Sequence, residues 1–124
     1  MSEKIRILVA EDHLVARVGV STIVNMQPDM EVVAEASNGQ QAVELFRSYR
    51  PDVALLDLRM PVMDGWAFRR EQRADPGLAA IPIVVLSRME MDGVQDMAAA
   101  ASFHKPVSFP EVVDVVRRLC EVAH

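Results

Sequence analysis

Three carboxylates, a hydroxyl and an ammonium stand just past short apolar runs in this sequence. Glu11 and Asp12 follow Ile5 to Ala10, Asp57 follows Val53 to Leu56, Ser87 follows Ile83 to Leu86, and Lys105 follows Ser102 to His104. Carboxylates gathered at one edge repel one another unless a cation neutralises them. Oxygen donors, with no thiolate and no pair of histidines, favour Mg²⁺, a hard ion that keeps several waters and accepts phosphate oxygens readily. A lysine and a hydroxyl opposite them suit an anion, and a phosphoryl group meets that requirement. An aspartate can itself be the nucleophile, giving an acyl phosphate.

Taken singly, each residue has a plainer reading. Asp12 reads as a helix N-cap, Asp57 as a loop acid, Ser87 as a strand-end hydroxyl and Lys105 as a surface lysine. Their joint placement at successive strand ends points instead to a metal-assisted phosphate site. His13 beside the acids is expected to be an exposed first helical residue rather than a ligand. His104 reads as exposed strand polarity, Cys120 as a buried small hydrophobe, and Trp66 as a partly exposed neighbour of the site.

The elements that must position these groups follow from the apolar pattern. Ile5 to Ala10, Val32 to Ala36, Val53 to Leu56 and Ile83 to Leu86 are rich in Val, Ile and Leu and short enough for buried strands. Helical spacing is clearest in Phe109, Val112, Val113, Val116, Leu119 and Cys120, opened by a Ser108 and Glu111 capping box. Asn38 with Gln41 opens another helix that ends near Pro51. A first helix runs from after His13 to about Met26. A further one is expected from Gly93 to Ala101 with Asp92 as N-cap, leaving only Ser102 to His104 for a fifth strand. The segment after Gly65 is weak, because Arg69, Arg70, Glu71 and Gln72 leave little apolar stripe. Alternating strands and helices imply an α/β fold, a parallel sheet covered on both faces. Ligands of such sheets sit at the carboxyl ends of the strands.

The chain's 124 residues match one domain. With 51% apolar and 25% charged residues, it has the balance of a globular rather than a disordered chain. No apolar run approaches the roughly 20 residues of a membrane helix. Charges within Met1 to Arg6 argue against a signal peptide, so a cytoplasmic protein without membrane association is expected. One cysteine excludes an intramolecular disulfide. A net charge of −5 with scattered basic residues argues against nucleic acid as a partner.

The stretches Ile7-Leu8-Val9-Ala10-Glu11-Asp12-His13, Asp57-Leu58-Arg59-Met60-Pro61-Val62-Met63-Asp64-Gly65 and Lys105-Pro106 resemble the receiver domain of bacterial two-component response regulators. The resemblance covers essentially the whole chain, and Arg73 to Pro82 is similar to members without an effector domain. It implies a flavodoxin-like, doubly wound sheet of five parallel strands in the order 2-1-3-4-5 with five helices, one receiver domain over residues 1–124 and no effector domain. It also implies that Asp57 takes a phosphoryl group from a sensor histidine kinase or a histidine phosphotransfer protein. Glu11, Asp12, Asp57 and the backbone carbonyl of Arg59 would hold Mg²⁺, with Mn²⁺ able to substitute. Lys105 would pair with a phosphoryl oxygen, Ser87 would report the phosphoryl group, and the bond before Pro106 would be cis. The implied role is a signalling switch or phosphorelay shuttle acting on a downstream protein, as a monomer or phosphorylation-linked dimer. Such a domain catalyses only its own phosphorylation and dephosphorylation. Met60 and Pro61 read as structural, Pro61 shaping the loop and Gly65 freeing the backbone before the next helix.

Three positions depart from that family. Ser102 stands where Tyr or Phe is usual, and alternation turns neighbouring Phe103 to the opposite face. Arg88 stands where a small residue is usual, able to block Asp57 or to pair with its phosphoryl group. Ala98 to Ala101 replaces a helix-ending glycine, so that helix is expected to run on and shorten the loop. Met89, Met91 and Met97 nearby read as core or loop filling, although methionine surfaces also suit partners. A phosphohydrolase reading requires an acid two residues after the nucleophile, and Arg59 occupies that position. The remaining alternative is a receiver-like binding module that no longer accepts phosphate.

Overall fold

The computed structural model describes residues 4–57, 65–87, 100–104 and 108–122, and within them all side chains except those at positions 57, 65, 66, 69, 87, 102, 104, 121 and 122. The strands are β1 (Ile5–Ala10), β2 (Met30–Ala36), β3 (Val53–Asp57), β4 (Ile83–Ser87) and β5 (Ala101–His104). The helices are α1 (Leu14–Asn25), α2 (Gly39–Tyr49), α3 (Gly65–Ala74), the single turn α4 (Pro76–Ala79) and α5 (Phe109–Val122). All strand pairs are parallel, in the order β2-β1-β3-β4-β5.

Each central strand is buried on both faces, so alternation decides which layer a side chain joins. Leu8, Ala10, Ala54 and Leu56 pack with Phe46 of α2 and Phe68 of α3. Ile7, Val9, Val53 and Leu55 pack with Val20 and Val24 of α1 and Val112 and Val116 of α5. Cys120 joins this second layer, where burial, helped by the charge of Asp52, pushes its thiol up to about 11.

Strand β2 carries a bulge that the sequence pattern did not reveal. Ile7 pairs with Val32 but Leu8 with Ala34, leaving Val33 as the extra residue. Met30 and Val32 therefore face the α1 and α5 layer, while Ala34 and Ala36 face α2. Unbroken alternation would have put all four on one face.

The capping of α2 matches its sequence signal. Asn38 Oδ1 accepts from the Gln41 N–H at 2.8 Å, and Gln41 Oε1 accepts from the Ser37 N–H at 2.7 Å. The helix closes at Arg50, held at φ 45°, whose N–H donates to the Phe46 carbonyl at 3.0 Å. Helix α5 begins as expected after Ser108, whose carbonyl accepts from the N–H groups of Glu111 and Val112.

Helix α3 needs no broad apolar stripe. Phe68 is fully buried with its ring centroid 5.1 Å from that of Phe46, edge to face. One turn later Gln72, itself buried, donates Nε2 to the carbonyls of Leu78 at 2.6 Å and Ile81 at 2.8 Å. Just beyond the helix, Asp75 Oδ1 accepts from the Gly77 N–H, and Pro76 opens the short turn α4.

The expectation of a helix reaching Ala101 is corrected. Ala101 pairs with Val84 as the first residue of β5, and the Ala100 N–H already donates to the Ile83 carbonyl. A run of alanines has high helix propensity, yet here the open edge of β4 claims its end for the sheet. The Asp92 cap and positions 93–99 lie outside the described residues.

Candidate functional site

The ladder register brings the backbones of Glu11, Asp57 and Ser87 to one edge. Ala10 pairs with both Ala36 and Leu56, so Glu11 and Asp57 are the next residues along their strands. Asp57 pairs with Leu86, and Ser87 with His104. The backbones of Glu11, Asp57, Ser87 and His104 thus share the carboxyl end of the sheet.

Glu11 continues β1 by one hydrogen bond, its N–H donating to the Ala36 carbonyl at 3.0 Å. Its side chain turns inward, leaving the residue 4% exposed. Asp12 stands beside it, and its Oδ1 is buried. His13 Nδ1 lies 3.1 Å from that oxygen, on a ring that is mostly exposed. Ligand atoms of Glu11, Asp12 and His13 all lie within 4.8 Å of one another.

Asp12 does not serve as the helix N-cap. That position belongs to His13, at φ −82° and ψ 117°, and its side chain makes no capping bond. The Asp12 carboxylate is therefore free of the competing backbone role. A buried carboxylate oxygen faced by a single imidazole nitrogen of a mostly exposed ring is a group a hard cation would satisfy, and Glu11 adds a second oxygen ligand beside it. These residues fit Mg²⁺.

One residue of this region was not anticipated. Arg17 is the only charged side chain in α1. Its Nη1 donates to the main-chain oxygen of Glu11 at 3.0 Å, and its Nε lies 3.6 Å from Glu35 Oε1. An arginine inside an otherwise uncharged helix, one turn after the acids, was the available signal.

Ser102 pairs with Val85 in β5, and Phe103 packs against the α5 layer as alternation required. The side chains of Asp57, Ser87, Ser102 and His104 lie outside the described set, as do residues Arg59, Met60, Pro61, Arg88, Met89, Met91, Met97, Lys105 and Pro106 entirely. A groove of about 260 Å³ between α1 and α5, lined by Ile23, Gln27, Phe109, Pro110, Val113 and Arg117, contains none of the expected site residues. Among the described residues, no helix is long and apolar enough to cross a membrane.

Comparison with known proteins accords with this arrangement. Residues 7–117 match the family model of the response regulator receiver domain. Over 99 residues, 80% of this chain and 46% of the relative, the chain is 39% identical to the nitrate/nitrite response regulator NarL of Escherichia coli. It spans less than half the length of the first curated relatives it matches. The receiver domain of a NarL-type regulator from Mycobacterium tuberculosis is similar with a TM-score of 0.86 at 32% identity, covering 96% of this chain and 98% of that one. A receiver domain of a sensor histidine kinase from Pseudomonas aeruginosa is similar with a TM-score of 0.85 at 25% identity, covering 95% and 98%, and that structure has a magnesium ion coordinated in its active site cleft. An acidic turn after β1, a five-stranded parallel sheet of matching order and a family match across nearly the whole chain agree: this chain belongs to the response regulator receiver domain family.

Proposed function

We propose that this receiver domain accepts a phosphoryl group on Asp57 from the phosphohistidine of a sensor histidine kinase or a histidine phosphotransfer protein. The observation that carries the reading is the buried carboxylate of Glu11 beside the buried oxygen of Asp12, at the sheet edge where β3 ends in Asp57. In the step assigned to Asp57, a carboxylate oxygen attacks phosphorus, the phosphorus–nitrogen bond breaks, and the imidazole leaves with the electron pair and takes up a proton.

Glu11, Asp12 and Asp57, with the main-chain oxygen of Arg59, would hold Mg²⁺, and Mn²⁺ could substitute. When bound, the ion neutralises charge on the phosphoryl oxygens. Lys105 is assigned to another phosphoryl oxygen and Ser87 to reporting the group. Output runs through protein contacts, and with Ser102 in place of an aromatic residue it does not use the usual rotation of such a ring. The proposal gives residues 1–124 the receiver role alone, as a switch or a relay shuttle.

The test is intact mass after incubation with Mg²⁺ and acetyl phosphate. The parent is expected to gain one phosphoryl group, the Asp57→Asn variant none, and the parent with Mg²⁺ chelated none. Equal gain in Asp57→Asn would overturn the assignment.

A further inference from the structure

Arg17 lies in a helix whose other side chains carry no charge, and its own side chain is only 18% exposed. A guanidinium so enclosed costs free energy unless its donors are used. Side chains of a helix lean toward its N-terminus, which carries Arg17 back over the turn of residues 11–13. There Nη1 donates to the Glu11 carbonyl and Nε faces the Glu35 carboxylate at the end of β2. Both main-chain polar groups of Glu11 are thereby engaged, the N–H by Ala36 and the carbonyl by Arg17. With its peptide groups anchored on both sides, Glu11 holds its carboxylate in the interior beside Asp12.

We infer that Arg17 is a positioning residue for the divalent-cation site, holding the β1–α1 turn so that the Glu11 and Asp12 carboxylates keep the spacing a cation requires. The inference rests on the receiver reading above and deepens it. It makes a prediction opposite in sign to simple electrostatics. A guanidinium near an acidic pocket opposes cation binding, so if Arg17 acted through charge alone, its removal would tighten Mg²⁺. If it acts by holding the turn, its removal weakens Mg²⁺, on the order of tenfold, as is common for groups that orient metal ligands.

The experiment is calorimetric titration of Mg²⁺ into the full chain, for the parent and Arg17→Met, with thermal unfolding of both. Methionine keeps the apolar stem and removes every donor. The expected result is Mg²⁺ affinity about tenfold weaker in Arg17→Met at temperatures where both proteins are folded. Arg17→Lys, which keeps one donor within reach, is expected to recover part of the loss. If Arg17→Met does not fold, Arg17→Gln, neutral and polar, carries the same comparison. Affinity equal to the parent's, or tighter, in the neutral variant would overturn the inference while leaving the receiver reading intact. A parent that binds no Mg²⁺ would overturn both.

Discussion

The side-chain amide of Gln72 donates to the main-chain oxygen of Leu78 at 2.6 Å from a side chain only 2% exposed. With its second bond, to Ile81, it ties α3 to the segment that enters β4, the strand ending in Ser87. Gln72→Leu keeps much of the volume but removes the Ile81 carbonyl's side-chain donor and leaves the Leu78 carbonyl with the Ile81 N–H alone. The expected cost is about 1–3 kcal/mol, read as a lower urea midpoint with an unchanged slope. An unchanged midpoint would contradict the structural role.

Asp29 and Arg117 join the α1–β2 turn to α5 through two bonds, of 2.8 and 3.0 Å. The guanidinium holds the Asp29 carboxyl below its ordinary value of 3.8. A lowered folded-state pKa stabilises the protein above the ordinary value, and that contribution is lost as pH falls through the lower one. Both side chains are over a third exposed, so solvent limits the effect to less than about 1 kcal/mol. Asp29→Asn should therefore be slightly less stable than the parent at neutral pH. The gap should close on acidification below the carboxylate range, as followed by thermal unfolding.

We propose that Ser102 and Arg88 bear on output and access rather than on the acid pocket. Ser102→Tyr is expected to leave phosphorylation by acetyl phosphate intact, since Ser102 sits within β5, paired with Val85, rather than at the carboxyl edge. A large loss of phosphorylation in that variant would contradict this separation. If the parent is slow to gain phosphate, Arg88→Ala tests the proposal that this residue shields Asp57, and a faster gain is expected. An unchanged rate would argue against shielding.

Much of the fold was legible because buried strands and amphipathic helices write short, distinct patterns. Val53 to Leu56 admits little but a strand, and Phe109 to Cys120 little but a helix. The Asn38 and Gln41 signal marked the start of α2, where both side chains accept backbone hydrogen bonds. What escaped depends on contacts distant in sequence or on one added residue. Val33 is indistinguishable from its neighbours by type, yet it turns half of β2 to the other face. Gln72 reads as a surface amide until Leu78 and Ile81 fold back over it. Ala101 belongs to an alanine run that favours a helix, and only pairing with Val84 makes it a strand residue.

The same division holds at the site. Glu11 and Asp12 could be placed at the end of β1 because the apolar run before them is unambiguous. The engagement of Glu11 by Arg17 could not, since it requires knowing how α1 leans over the turn that precedes it. The place of His13 at the N-cap position was equally hidden, because a histidine that makes no capping bond is a weak N-terminal signal.

The central claim is that Asp57 carries the phosphoryl group. The direct measurement is borohydride reduction of the protein after treatment with Mg²⁺ and acetyl phosphate, followed by peptide mapping. Hydride reduces an aspartyl phosphate to homoserine while leaving free carboxylates unchanged, so the modified position identifies itself. The expected result is homoserine at position 57, with no homoserine at position 12 and no 5-hydroxynorvaline, the product a glutamyl phosphate would give, at position 11. Homoserine at another aspartate, 5-hydroxynorvaline at a glutamate, or neither in a protein that has gained the phosphoryl mass, would contradict the account.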